Sequence, residues 1–172
     1  TNIPPHNLRD VIYAVVKLID NEVADKETEI DELIDIVKGP DFPTGGIVQG
    51  IDGLKQAYTT GRGKVILKSK VEIDTSKADP RIIISEIPYD VNKAALLRKM
   101  SDQIGLQNVD GVKMIRDETD RSGLRIVIEV RRDANPEYIL NFLYKTTELQ
   151  INYNFNMVAI VRGKPCYMGL ID

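Results

Sequence analysis

Cationic side chains stand at Arg62, Lys64, Lys68 and Lys70, and a chain of period two places residues at such even spacing on one face. A face of this kind offers guanidinium and ammonium groups to an anionic surface, and it is equally the pattern of a solvated strand. A second group, Lys93, Arg98 and Lys99, falls on a predicted helix and has the same two readings. Candidates for bond chemistry are thin. His6 is the single histidine, has no nucleophile near it in sequence, and reads as a capping or packing residue. Asp117, Glu118 and Asp120 resemble a metal cluster by composition, yet Arg121, Ser122 and Gly123 follow them, so the run reads as a turn. The GRGK of residues 61–64 has neither the length of a P-loop nor its following Ser or Thr. The tyrosines read as packing residues. No catalytic residue, metal ligand or cofactor site is therefore assigned to this chain.

The elements that must position these cations follow from periodicity. Leu8, Val11, Ile12, Val15, Val16 and Ile19 recur at helical spacing behind Asn7, a good N-cap, which predicts an amphipathic helix over 8–20. A second helix is expected over 28–38, stopped by Gly39 and Pro40. The segment 39–64, GPDFPTGGIVQGIDGLKQAYTTGRGK, holds most of the chain's twelve glycines and reads as tight turns around a short strand at 47–49 and a short helix ending at Gly61. From Lys64 the period becomes two, which predicts a strand over 64–74 that forms a hairpin with 81–87. Helix 91–104, strands 111–117 and 124–131, helix 135–144 and strand 150–161 follow, with a last short strand at 166–170. The expected fold is α+β: a two-layer α/β sandwich with a β-α-β-β-α-β core, preceded by helices and a β-hairpin. Residues 1–62 would form the helical opening with its Gly/Pro-rich turns and 63–172 the sandwich, within a single domain 1–172.

Composition fits a soluble domain of ordinary size: 172 residues, 42% of them hydrophobic. The formal charge of −3 argues mildly against nucleic acid, but it is unevenly spread. Residues 20–35 are strongly acidic, with Lys26 the one base, whereas 55–70 are basic. The lone Cys166 excludes an internal disulfide and a cysteine-held zinc. No apolar run approaches the roughly 18 residues of a membrane span. A cytoplasmic location with no membrane partner is expected.

GPDFPTGG followed by GRGK resembles the signature of the A subunit of bacterial type IIA DNA topoisomerases, the gyrase A and topoisomerase IV A family. TNIPPHNL, EIPYDVNKAALLRKM, VDGVKMIRDETDRSGLRIVIEV and LQINYNFNMVAI resemble that family in the same order, so the resemblance covers nearly all the chain. DETDRSGLR and LQINYNFNMVAI look more like the topoisomerase IV branch of Gram-positive bacteria than the gyrase branch. The resemblance implies a tower-type fragment that supports the outer arms of a bent DNA segment through phosphate contacts, and charge spacing makes Arg62, Lys64, Lys68, Lys70, Lys93, Arg98 and Lys99 the candidates for them. It also implies an ATP-dependent parent enzyme, a heterotetramer in which a partner B subunit carries Mg and ATP and two copies of the A subunit pair. The family's catalytic tyrosine is expected upstream of the TNIPPHN segment, so the chain by itself should be inactive. A protein-interaction module, docking through the acidic 20–35 face or the aromatic strand Tyr153–Phe155, is the rival from another class.

Overall fold

A computed structural model describes residues 2–106 and 109–172; Thr1, which opens the TNIPPHNL run, lies outside the described residues. The chain divides into two compact units. The first comprises Thr1–Pro43, Val48–Ile66 and Asn152–Asp172, and the second Thr44–Ile47 and Leu67–Ile151. Strands β2 (Arg62–Lys68) and β7 (Gln150–Asn156) run through both divisions. Residues 152–172, grouped with the sandwich by their period-two pattern, thus belong to the same unit as the opening helices.

The second unit holds β3 (Lys70–Asp74), β4 (Arg81–Glu86), α4 (Lys93–Leu106), β5 (Val112–Asp117), β6 (Ile126–Val130) and α5 (Pro136–Thr146). Its antiparallel sheet has the order β3-β4-β6-β5. One face of that sheet carries Ile82, Ile84, Ile126, Ile128 and Val130. These pack with Leu96 and Met100 of α4 and Ile139 and Leu143 of α5, all buried, so both helices cover a single face as two layers require. Asn135 caps α5 by accepting from the Glu137 and Tyr138 amides, with Pro136 in the first turn. The element order is the expected β-α-β-β-α-β, and the fold is α+β as expected. The closing strand differs: β7 pairs in a separate sheet, β1-β2-β7, where β1 is Ile47–Gln49, and β3 takes the edge beside β4.

That rearrangement has a local cause at Ser69. Its amide and its hydroxyl both donate to the Leu149 carbonyl, at 3.0 and 2.8 Å, and the residue is fully buried. The run expected as one strand over 64–74 therefore breaks there, β2 going to one sheet and β3 to the other. Met157 breaks the expected 150–161 strand in the same way, its amide donating to the Gly61 carbonyl at 2.8 Å. Beyond it, β8 (Val158–Val161) and β9 (Lys164–Tyr167) form an antiparallel hairpin turned at Arg162 and Gly163, both with positive φ.

In the first unit, α1 (Leu8–Val23) is capped by Asn7, as its sequence predicts. Its apolar stripe is turned outward. Leu8, Val11, Ile12, Val15, Val16, Ile19 and Val23 are exposed, while Ala14 and Asn21 are buried. The polar side makes the contacts: Asn21 donates to Thr28 and Glu32 at 3.0 and 3.2 Å, and Lys17 pairs with Glu32 at 3.4 Å. α2 (Ile30–Ile34) is shorter than its pattern suggests, and its last turn tightens through an Ile36 amide bond to the Leu33 carbonyl.

Candidate functional site

The first cations are delivered by close backbone packing between α3 (Ile51–Thr60) and the start of β2. A Cβ placed on Gly63 would stand 2.7 Å from the Ala57 Cβ and 2.8 Å from the Ala57 amide nitrogen, and one on Gly53 would run into the Lys64 carbonyl oxygen. Two glycines thus let helix and strand touch main chain to main chain. Because β2 alternates, the side that carries Gly63 and the fully buried Val65 faces α3, and Arg62 and Lys64 point the other way, exposed. Gly61, at φ 76°, ends the helix, and a Cβ there would meet the Met168 carbonyl at 2.7 Å. That contact sets the end of β9 beside Arg62.

The candidate cations fall into three sorts. Lys93 pairs with Asp117 at 2.8 Å, Lys99 with Glu148 at 2.9 Å, and Lys70 approaches Glu86 at 3.8 Å. The electrostatics agree: the Lys93 ammonium, helped by Thr119, holds the Asp117 carboxyl down at about 2, and Lys99 lowers Glu148. Arg62 and Lys68 instead lie over aromatic rings. The Arg62 guanidinium carbon is 3.8 Å from the Tyr167 ring centre, and the Lys68 ammonium 5.0 Å from that of Tyr144. A ring attracts a cation without neutralising it, so these positions keep their full charge. Lys64 and Arg98 are exposed. Arg62 and Lys64 sit in the first unit, and Lys68, Lys70, Lys93, Arg98 and Lys99 in the second.

Sequence spacing had no means of finding Tyr167 and Tyr144 as partners, since each ring reaches its cation across the fold. It also missed what the paired glycines of PTGG do. Gly45 and Gly46 have φ of 71° and 100°, the Gly46 amide donates to the Glu86 carboxylate at 2.6 Å, and a Cβ on Gly45 would collide with that carboxylate. The motif seats a carboxylate within the second unit.

Other polar residues are engaged in holding the structure. Asp117 serves Lys93, Glu118 pairs with Arg125 and Arg116 at 3.1 and 3.2 Å, and Asp120 accepts from Ser122. Ser122 and Arg125 depress the Asp120 and Glu118 carboxyls respectively. In the acidic 20–35 stretch, Lys26 and the Glu29 amide hold Glu32 at about 2, and Lys55 pairs with Asp31 at 2.6 Å. His6 packs, as its position suggests. Its Nδ1 is 2.8 Å from the Pro4 carbonyl, which only accepts, so Nδ1 carries the proton and Nε2 accepts from the buried Tyr58 hydroxyl at 2.7 Å. Burial lowers the His6 pKa and raises that of Tyr58. Tyr153 and Phe155, considered above as a docking strand, are buried and stack edge to face with each other, with Phe42 and with Tyr58. Among the described residues no helix is long and apolar enough to cross a membrane.

Known proteins resemble the chain over its full length. The family model for the A subunit of DNA gyrase/topoisomerase IV matches residues 1–172. The chain is 52% identical over 171 residues to the DNA topoisomerase 4 A subunit of Staphylococcus epidermidis and, to the same extent, to that of Bacillus subtilis. It is 51% identical over 172 residues to that of Streptococcus pneumoniae. The matches cover 99% of this chain but only 20–21% of each relative, so the chain spans about a fifth of their length.

Proposed function

This chain belongs to the DNA gyrase/topoisomerase IV A-subunit family, and from that premise we propose that it is the tower-type part of a topoisomerase IV A subunit. In this reading it supports the arms of the DNA segment that the enzyme bends, cuts, opens and religates, and residues 1–172 act as one functional domain. Bending a duplex by the angles that DNA-bending proteins impose costs on the order of 1–6 kcal/mol, and cations on the arms offset part of that cost through phosphate contacts. The observation that carries the reading is the glycine-backed corner that holds Arg62 and Lys64 outward with no carboxylate partner among the described residues. In the second unit, Lys68 on β2 and Arg98 on α4 are the corresponding candidates. Lys70, Lys93 and Lys99 contribute less, because a phosphate must displace the carboxylates they already hold.

The chemistry resides elsewhere in the assembly: a tyrosine outside these residues attacks the DNA phosphate, and a B subunit supplies ATP hydrolysis and Mg, with a second A subunit completing the complex. The site of action is the cytoplasm, on the nucleoid. Alanine at Arg62, Lys64, Lys68 and Lys70 together, in the full-length A subunit, is expected to weaken DNA binding and slow strand passage, while the 172-residue chain alone does not nick supercoiled DNA. Unchanged affinity at low and moderate salt would count against the reading, as would nicking by the purified chain. One observation favours a second reading, a protein-contact module: the apolar stripe that α1 leaves exposed. Ionic strength separates the two, since phosphate binding weakens steeply with salt and an apolar interface does not.

A further inference from the structure

We propose that Tyr167 and Tyr144 are positioning residues whose rings hold the Arg62 guanidinium and the Lys68 ammonium in place for phosphate contact. The inference rests on the DNA-arm reading above and adds two residues that act through the cations and need not touch DNA.

Of the candidate cations in the second unit, Lys93 and Lys99 spend their charge on Asp117 and Glu148, and Lys70 approaches Glu86. Arg62 and Lys68 are restrained by a different means. A guanidinium carbon 3.8 Å from a ring centre is in face contact, an arrangement that leaves donor edges of the fork directed away from the ring. Those edges are what a phosphate accepts from, two at a time. The ring thus restricts a long side chain that would otherwise have to be ordered on binding, and leaves the charge intact.

The Tyr144 ring is held by packing, and Tyr167, 45% exposed, is held through its backbone. Tyr167 ends β9 opposite Val158, and the next residue, Met168, donates to the Met157 carbonyl at 3.1 Å while lying against Gly61. The backbone contact at Gly61 therefore brings Tyr167 to Arg62. Tyr144 projects from α5 and packs against the buried core of the second unit, which anchors the ring that Lys68 covers.

The test is equilibrium binding of a linear duplex to the full-length A subunit over a range of salt concentrations. The variants are Tyr167→Leu, Tyr167→Phe, Arg62→Ala and the double variant Arg62→Ala/Tyr167→Leu. Tyr167→Leu is expected to weaken binding about three- to ten-fold with the salt slope kept, because the number of phosphates contacted does not change. Tyr167→Phe retains the ring and should stay within about twofold of the parent. Once Arg62 is gone, Tyr167→Leu should add nothing. The Tyr144 and Lys68 pair should give the same pattern. Parent-like binding by Tyr167→Leu alongside weakened Arg62→Ala overturns the positioning role and leaves the DNA reading standing. An equal loss from Tyr167→Leu with or without Arg62 also overturns it, since the ring then acts on the fold alone. No effect of Arg62→Ala refutes the DNA-arm reading itself.

Discussion

Gly63→Ala tests whether the corner between α3 and β2 is built as described. The new methyl carbon would lie 2.7 Å from the Ala57 Cβ and 2.8 Å from the Ala57 nitrogen. Carbon atoms rest at about 3.5–4.0 Å, so helix and strand must part by roughly 1 Å. Helix backbone lies on the far side of the contact, and no rotamer change can relieve it. The cost should fall near the upper end of the overpacking range, about 3 kcal/mol, offset by up to about 1 kcal/mol because alanine is the better residue in a strand. A net loss of about 2 kcal/mol is expected, a large part of a domain stability of about 5–15 kcal/mol. Urea unfolding of the 172-residue chain reads this as a lower midpoint at unchanged slope. Gly105→Ala is the control: among the described residues no atom outside its own helix backbone and chain neighbours lies within 4 Å of its Cβ position, and the variant should be neutral or stabilised by up to about 1 kcal/mol. A Gly63→Ala chain as stable as its parent would refute the close-packed corner, and with it the reason Arg62 and Lys64 are held outward.

Aspartate at both Val15 and Ile19 should leave the chain's unfolding midpoint nearly unchanged, about 0.5 kcal/mol or less per site, because they are already 48% and 52% exposed. Leu33→Ala, at a fully buried site, should cost about 2–5 kcal/mol in the same measurement. Stability should also fall below about pH 6.5, the ordinary value for histidine. Burial lowers the folded His6 pKa, so beneath the unfolded value the unfolded chain binds more protons and is favoured; thermal melts of His6→Gln between about pH 7.5 and 5 should lack this component. At lower pH the sign is the same for a different group. Asp117 is depressed from 3.8 to about 2, so its contribution is present above 3.8 and is lost as pH falls toward 2, a loss that Lys93→Gln should flatten in acid titration followed by circular dichroism.

Periodicity made most of the elements legible, because apolar spacing records which face is buried. It could not locate Ser69 or Met157, where hydrogen bonds made across the fold decide which sheet a strand joins. It marked the α1 stripe as one face of an amphipathic helix but not as an exposed one, since amphipathicity says that a face is apolar and not what covers it. The even spacing of Arg62, Lys64 and Lys68 was legible, as was the outward face of β2. What the sequence hides is which cations are already neutralised. Lys93 meets Asp117 and Lys99 meets Glu148 across 24 and 49 positions respectively, and nothing local marks either pair. The glycine-rich segment reads as a set of turns, yet Gly53 and Gly63 serve close approach and Gly45 and Gly46 seat a carboxylate.

The most direct test of the account is the salt dependence of duplex binding by the full-length A subunit, parent against Arg62→Ala/Lys64→Ala/Lys68→Ala, with Lys93→Ala/Lys99→Ala as the comparison. Each phosphate contact contributes about 0.9 to the slope of log K against log salt, so the triple variant should lose roughly 2 to 3 from that slope. The ion-paired double variant should lose much less than its two charges would predict. A triple variant with the parent's slope and affinity would contradict the claim that this corner and strand hold DNA.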